Sequence, residues 1–244
     1  MSTEARILPR RRSGALIGPN AVLQAVAVME DLLGAAETRA ILLDAQIHAL
    51  PSGEAMIPEV QALRLHRWLA LHEPMGCLHI AEEAGARTAD YIIANRIPRA
   101  AAWLLRRLPA MLAAPLLMAA IGKHAWTFIG AGVFMPESAW RFSIDRSKAG
   151  DPMIPPDSLF LWYAAVFTRL YRQLVADDCT CRMVEGDEGH RPRRSYAITR
   201  AKRPPRRLAS AWRFSLSSSS MSTTSARAFI HMVPPVPHAT IATR

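Results

Sequence analysis

The sequence predicts an α+β fold, with N-terminal helices packed on a four-stranded antiparallel sheet. Three observations predict it. Apolar residues recur at three and four through the first half of the chain. From Ala125 the spacing changes to two, with Trp126 and Phe128 on one side and Thr127 and Ile129 on the other. One amphipathic stripe (Leu159, Tyr163, Val166, Phe167, Leu170, Leu174) then separates two pairs of alternating segments, so the second half reads β-β-α-β-β. Helices segregated against an antiparallel sheet make an α+β architecture.

The elements follow in order. Residues 1–13 are polar and basic, and disorder is expected there. Gly18-Pro19-Asn20 turns into a helix to about Leu33, with Val22, Val26, Met29 and Leu33 inside, and Gly34 ends it. A second helix covers Glu37–His48, with Ile41, Leu42, Ala45 and Ile47 inside. Leu50–Ile57 is a loop holding Pro51 and Gly53. Pro58 opens a third helix through about His72, at the position where a missing N–H costs least. Pro74 and Gly76 close it, and a fourth helix leads into a helix around Thr88–Asn95 that Pro98 ends. Trp103, Leu104 and Leu108 mark the next helix. Pro109 and Pro115 break the apolar run after it, and Pro115 is expected to start a helix over Leu116–Lys123.

The spacing of two then predicts a strand over Trp126–Phe134, weakened by Gly130 and Gly132. A turn at Pro136-Glu137-Ser138 leads to a half-buried strand, in which Trp140, Phe142 and Ile144 alternate with Arg141, Ser143 and Asp145. Gly150–Asp157 is a proline-rich loop, Leu159–Val175 the amphipathic helix, and Cys179–Val184 with Ser195–Thr199 the last strand pair. After Arg200 the sequence is low in complexity (KRPPRR, SLSSSS, VPPVP), and such composition does not offset its ordering entropy. The expected organisation is a disordered start at 1–13, a domain at 14–200 and a disordered tail at 201–244.

Half of the 244 residues are hydrophobic, enough for one sizeable core. No apolar run reaches the roughly 18 residues of a membrane span, and MSTEARILPRRR lacks the apolar centre of a secretion signal. A cytoplasmic protein is expected. The net charge of +10 suggests an anionic partner at first sight, but residues 191–244 hold 11 Lys and Arg and no acid. Without them, 1–190 carries 19 basic against 20 acidic residues. No basic stripe interleaved with aromatics runs through that part, so a nucleic-acid partner is not expected.

Several segments carry a family resemblance. ARTADYIIANRIP, LPAMLAAPLL and KHAWTFIGAG, together with IGPNAVL, LPSGEAMIP, RLH and WYAAVFTRLYRQL, resemble the 4-vinyl reductase domain of bacteriochlorophyll biosynthesis over roughly residues 15 to 200. That family is related in fold to haem nitric-oxide-binding domains and to subunits of a vesicle-tethering complex. The resemblance implies reduction of the 8-vinyl group (position 4 in older nomenclature) of a divinyl chlorophyllide or protochlorophyllide in a photosynthetic bacterium. The ligand it implies is a magnesium tetrapyrrole, the partners other bacteriochlorophyll-synthesis enzymes, and the location the cytoplasm or the periphery of the photosynthetic membrane.

The sequence has no GxGxxG, P-loop, HExxH or paired CxxC, so no cofactor is evident and a reductase would draw hydride from an external donor such as NADPH. Two alternatives stand beside the reductase. One is a non-catalytic tetrapyrrole carrier or chaperone. The other is an interaction scaffold with a slot for an acyl chain. A homodimer is the base expectation for a domain of this size.

A pocket for a flat apolar macrocycle needs aromatic and aliphatic walls with a few placed polar groups. His124 and His66 are the candidate axial imidazoles. His124 also fits a helix C-terminus, where positive charge is favourable, and His66 lies among Leu63, Leu65 and Leu69 as a core histidine would. Trp126, Trp162 and Tyr163 are candidates for stacking and equally for core. Tyr91, with Arg87 and Asp90, reads either as a contact to carboxylate or carbonyl groups or as an exposed face with ion pairs. Arg106-Arg107 reads as a solvated helix end.

Cys179 and Cys181, two apart on a strand, point the same way and form poor disulfide partners. They are weak metal candidates, because zinc takes four ligands and only His190 is near in sequence. The family carries a further cysteine near Arg194-Ser195-Tyr196, where this chain has none. An acid-free tail following that departure is what a shifted reading frame would leave, and resequencing the coding DNA tests it.

Overall fold

A computed structural model describes residues 14–147, 155–184 and 192–201. The expected disorder at 1–13, the greater part of the Gly150–Asp157 loop, His190 and all but Ala201 of the 201–244 tail lie outside the described residues. The chain divides into two units after Lys202, and the described residues all belong to the first.

The first strand, β1 (Leu16–Ile17), pairs antiparallel with β2 (Ile57–Pro58). Between them lie α1 (Asn20–Leu33) and α2 (Ala35–Asp44), and after them α3 (Glu59–His72) and α4 (Gly76–Asn95). Next come α5 (Arg99–Arg107), α6 (Ala110–His124) and the four-residue α7 (Trp126–Ile129). The second half holds β3 (Val133–Ser138), β4 (Arg141–Asp145), α8 (Asp157–Leu174), β5 (Cys179–Met183) and β6 (Arg193–Arg200). The last four strands form one antiparallel sheet of order β3-β4-β6-β5. The expected α+β class and the β-β-α-β-β half are both observed.

Proline sets many of the boundaries. Pro19, Pro58, Pro98, Pro109 and Pro156 each sit one residue before a helix, where the fixed φ and the missing N–H are tolerated. Pro115 departs from this rule and from expectation: it lies inside α6. Its ring removes the N–H that would reach the Met111 carbonyl, on an exposed side of the helix, while Ala113, Ala114, Leu117 and Met118 are buried on the other. Packing on that face offsets a cost of about 3 kcal/mol.

Three further expectations are corrected. The strand expected from Trp126 begins only at Val133. The amides of Phe128 and Ile129 donate to the Ala125 carbonyl, making a helical turn that Gly130 ends at φ 63°. Four residues are too few to distinguish a spacing of two from one of 3.6. The second helix stops at Asp44, because Gln46 takes a left-handed φ of 59° and the Ile47 amide folds back to the Leu42 carbonyl. Finally, α8 is not apolar on one stripe only. Phe160, Trp162 and Tyr171 are buried as well, since the helix packs on α4 at one side and on the sheet at the other.

The two halves meet at α4 and α8. Gly85 permits the approach: a Cβ there would lie 2.6 Å from the Trp162 carbonyl oxygen and 2.7 Å from the Ala165 Cβ. On the sheet side an aromatic stack fills the core, with Phe142 centred 4.0 Å from Phe167 and 4.7 Å from Tyr196. Among the described residues, no helix is long and apolar enough to cross a membrane.

Candidate functional site

A cavity of about 590 Å³ opens between α4, α6, α7, α8 and the start of α1. Helix α4 contributes Thr88, Tyr91 and Ile92, α6 contributes Leu117, Ile121 and His124, and α7 contributes Trp126 and Phe128. Trp162 and Phe167 come from α8. Four of the six residues singled out as ligand-binding candidates, Tyr91, His124, Trp126 and Trp162, therefore line one space. Trp162 is buried, and its indole N–H has no partner among the described residues. Trp126 is 64% exposed, unusual for so large an apolar ring. His124 ends α6 at an exposed position, its carbonyl accepting the Thr127 hydroxyl at 2.8 Å.

The wall containing Trp126 is held from three directions. Helix α7 leaves its last carbonyls without helical partners. The Gly18 amide donates to the Thr127 oxygen at 2.7 Å, the Tyr163 hydroxyl to the Phe128 oxygen at 3.2 Å, and the Arg146 guanidinium to the Ile129 oxygen at 2.8 Å. Glu59 completes the cluster, accepting from Arg146 and, at 3.0 Å, from the Ala131 amide. Both members of that ion pair are buried, and Gly130 presses on the carboxylate so closely that a Cβ would meet it at 2.5 Å.

The other two candidates are not part of the lining. Tyr163 is buried behind Phe128, where burial raises its pKa and its hydroxyl serves α7. His66 is fully buried on α3, its Nδ1 3.2 Å from the Ser158 hydroxyl and its Nε2 without a partner among the described residues. Burial lowers its pKa to about 4, so the ring is neutral near pH 7.

Arg87 pairs with Asp31 and Glu83, and Asp90 with Arg169, which makes that face of α4 an ion-paired surface. Cys179 and Cys181 both turn inward, and burial pushes both thiols up. No group of three His, Cys, Asp or Glu able to hold a metal exists among the described residues.

Sequence reasoning passed over Arg96 and Glu54. Both line the cavity, and neither side chain has a hydrogen-bond or ion-pair partner among the described residues. Arg96 is the first cation after the helix that carries Tyr91, just before the Ile97-Pro98 break, and that position was the available signal. A larger groove of about 960 Å³ runs along α4, α8 and β5. Three of its four arginines are engaged, Arg169 with Asp90, Arg194 with Asp157 and Arg172 with the Cys179 carbonyl, while the Arg182 side chain has no such partner among the described residues.

No family model matches the chain. Among solved structures, the Fe(II) unliganded H-NOX protein of K. algicida matches at TM-score 0.52 and 10% identity, over 77% of this chain and 98% of that one. A point mutant of that protein matches at 0.51, covering 76% of this chain. These matches establish a shared fold. Among curated proteins, the bacteriochlorophyll synthase 23 kDa chain of Cereibacter sphaeroides is 41% identical over 163 residues, 65% of this chain and 78% of that one. The protein of the same name from Rhodobacter capsulatus is 39% identical over 177 residues, 70% of this chain and 83% of that one. At that identity and coverage, this chain belongs to the family of the bacteriochlorophyll synthase 23 kDa chain.

Proposed function

We propose that the chain acts in bacteriochlorophyll biosynthesis by holding a magnesium tetrapyrrole precursor in the cavity beneath Trp126. The observation that carries the reading is the convergence of Tyr91, His124, Trp126 and Trp162, from four helices, on one largely apolar space. Its volume of about 590 Å³ falls within the ~300–1,000 Å³ usual for small-molecule sites. In this reading His124 would offer a ring nitrogen to the central magnesium, and the two tryptophans would stack on the ring. Arg96 pairs with a peripheral carboxylate in a charge-assisted hydrogen bond. Family membership supports the pathway, and the relatives' name makes a bacteriochlorophyll-synthesis enzyme the proposed protein partner.

A second reading adds chemistry: reduction of the 8-vinyl group of the bound precursor. It is favoured by the KHAWTFIGAG segment, which resembles the 4-vinyl reductase domain and supplies His124, Trp126 and Phe128 to the lining. In that reading a hydride from an external donor such as NADPH and a proton together convert vinyl to ethyl.

One titration separates the readings. Divinyl protochlorophyllide is added to the full chain and absorbance followed with and without NADPH. A spectral shift without loss of the divinyl bands supports a carrier, and NADPH-dependent loss of those bands supports the reductase. The absence of any shift, with binding of a fluorescent fatty acid that the pigment does not displace, overturns both in favour of an acyl-chain scaffold.

A further inference from the structure

Helices α5 and α6 present apolar side chains to solvent that the rest of the described fold leaves uncovered. On α5, Ala102 and Leu105 are buried, while Trp103 is 58% exposed and Leu104 is exposed beside it. On α6, Ala113, Ala114, Leu117 and Met118 face inward. Met111 is 84% exposed, and Leu112 and Leu116, one helical turn apart, are exposed with Lys123 two turns on. Single exposed apolar residues need no explanation, but a run of them across two adjacent helices does.

The charge carried by these two helices and their flanks is one-signed. Residues 91–136 contain Arg96, Arg99, Arg106, Arg107 and Lys123 and no Asp or Glu. The Arg107 guanidinium lies 5.1 Å over the Trp103 ring, a pairing of cation and indole suited to a water–lipid boundary. A two-fold contact between these helices and those of a second copy would set their arginines against one another with no acid supplied by either helix pair. An anionic bilayer complements both features at once, taking the apolar side chains into its boundary and the cations at its headgroups.

We propose that the α5–α6 face docks on an anionic lipid bilayer. The proposal stands apart from the cavity's occupant, although α6 serves both: Leu117, Ile121 and His124 line the cavity from its other side.

The test uses the full chain and two double variants, Leu112→Glu with Leu116→Glu, and Arg99→Glu with Arg107→Glu. All four positions are exposed, so unchanged melting temperatures would show that the variants fold. Because each variant keeps the basic segment after Arg191, any difference in binding belongs to the helices. Co-flotation is measured with vesicles of phosphatidylcholine alone and of equimolar phosphatidylcholine and phosphatidylglycerol.

The expected result is binding of the wild type to the mixed vesicles and at least tenfold weaker binding to the neutral ones. Each double variant should lose at least tenfold on the mixed vesicles. Equal binding by wild type and variants would overturn the proposal, as would equal binding to both vesicle types. So would a wild type that dimerises without binding vesicles and becomes monomeric on Leu112→Glu with Leu116→Glu, which would make the face a subunit contact.

Discussion

Acid should weaken this fold through one histidine. His66 has an ordinary pKa near 6.5, and burial holds it at about 4 in the folded chain. As pH falls through about 6.5 the unfolded chain takes up a proton at His66, and the folded chain does not until about 4. Protons therefore favour the unfolded state across that window, and stability falls on acidification. At about 1.4 kcal/mol per pH unit, the gap between the two values costs about 3 kcal/mol once fully expressed. By about pH 5 roughly 2 kcal/mol of it is lost, or roughly 4–8 °C of melting temperature for a domain of this size.

Carboxylates titrate in the same range, so the wild-type melt alone does not isolate the histidine. The informative comparison is with His66→Asn, which keeps a polar atom near the Ser158 hydroxyl and has no proton to gain. Melting both proteins at about pH 7.5 and about pH 5 should give a smaller drop for the variant, by roughly 4–8 °C, whatever the variant costs at neutral pH. Equal drops would refute the reasoning, placing the acid sensitivity elsewhere.

Replacing Glu59 by Gln should destabilise by about 3–5 kcal/mol, because Arg146 stays buried without its counter-charge; urea denaturation measures it. Gly85→Ala should cost about 1–3 kcal/mol through overpacking between α4 and α8, and near-ultraviolet dichroism should register the displaced Trp162. His124→Ala and Trp126→Ala should melt within about 1 kcal/mol of the wild type, since both side chains are exposed. Each should weaken pigment binding at least tenfold in the absorbance titration, a loss of about 1.4 kcal/mol. Unchanged affinity in both would move the pigment out of this cavity.

Much of the fold was legible because its signals are local. Pro19 and Pro58 mark helix starts, Pro98 marks a helix end, and the alternation through Phe142 and Ile144 marks a strand whatever surrounds it. Tyr91, His124, Trp126 and Trp162 could be named one by one as candidates for the macrocycle the resemblance implies, although nothing local says that they share a cavity. Where local pattern and tertiary setting part, the reading failed. Trp126–Ile129 reads equally as strand or helical turn until Gly130 and three distant donors are known. Pro115 reads as a helix start because the burial of Leu117 and Met118, which offsets its missing hydrogen bond, is a tertiary fact. The Glu59–Arg146 pair joins positions 87 residues apart, and neither residue's neighbours announce the other. Arg96 is an ordinary surface arginine in sequence and gains meaning only from the space beside it.

The three donors on α7 also bear on motion. Gly18, Tyr163 and Arg146 reach this short helix from the N-terminal segment, from α8 and from the end of β4. Fraying the turn therefore breaks bonds to three distant parts of the chain, so its opening is tied to the cooperative unfolding of the domain rather than to a cheap local fluctuation. In hydrogen exchange, the Phe128 and Ile129 amides should exchange about as slowly as those of the core helix α8, although Trp126 beside them stands in solvent. A ligand entering the cavity therefore meets a fixed wall at α7.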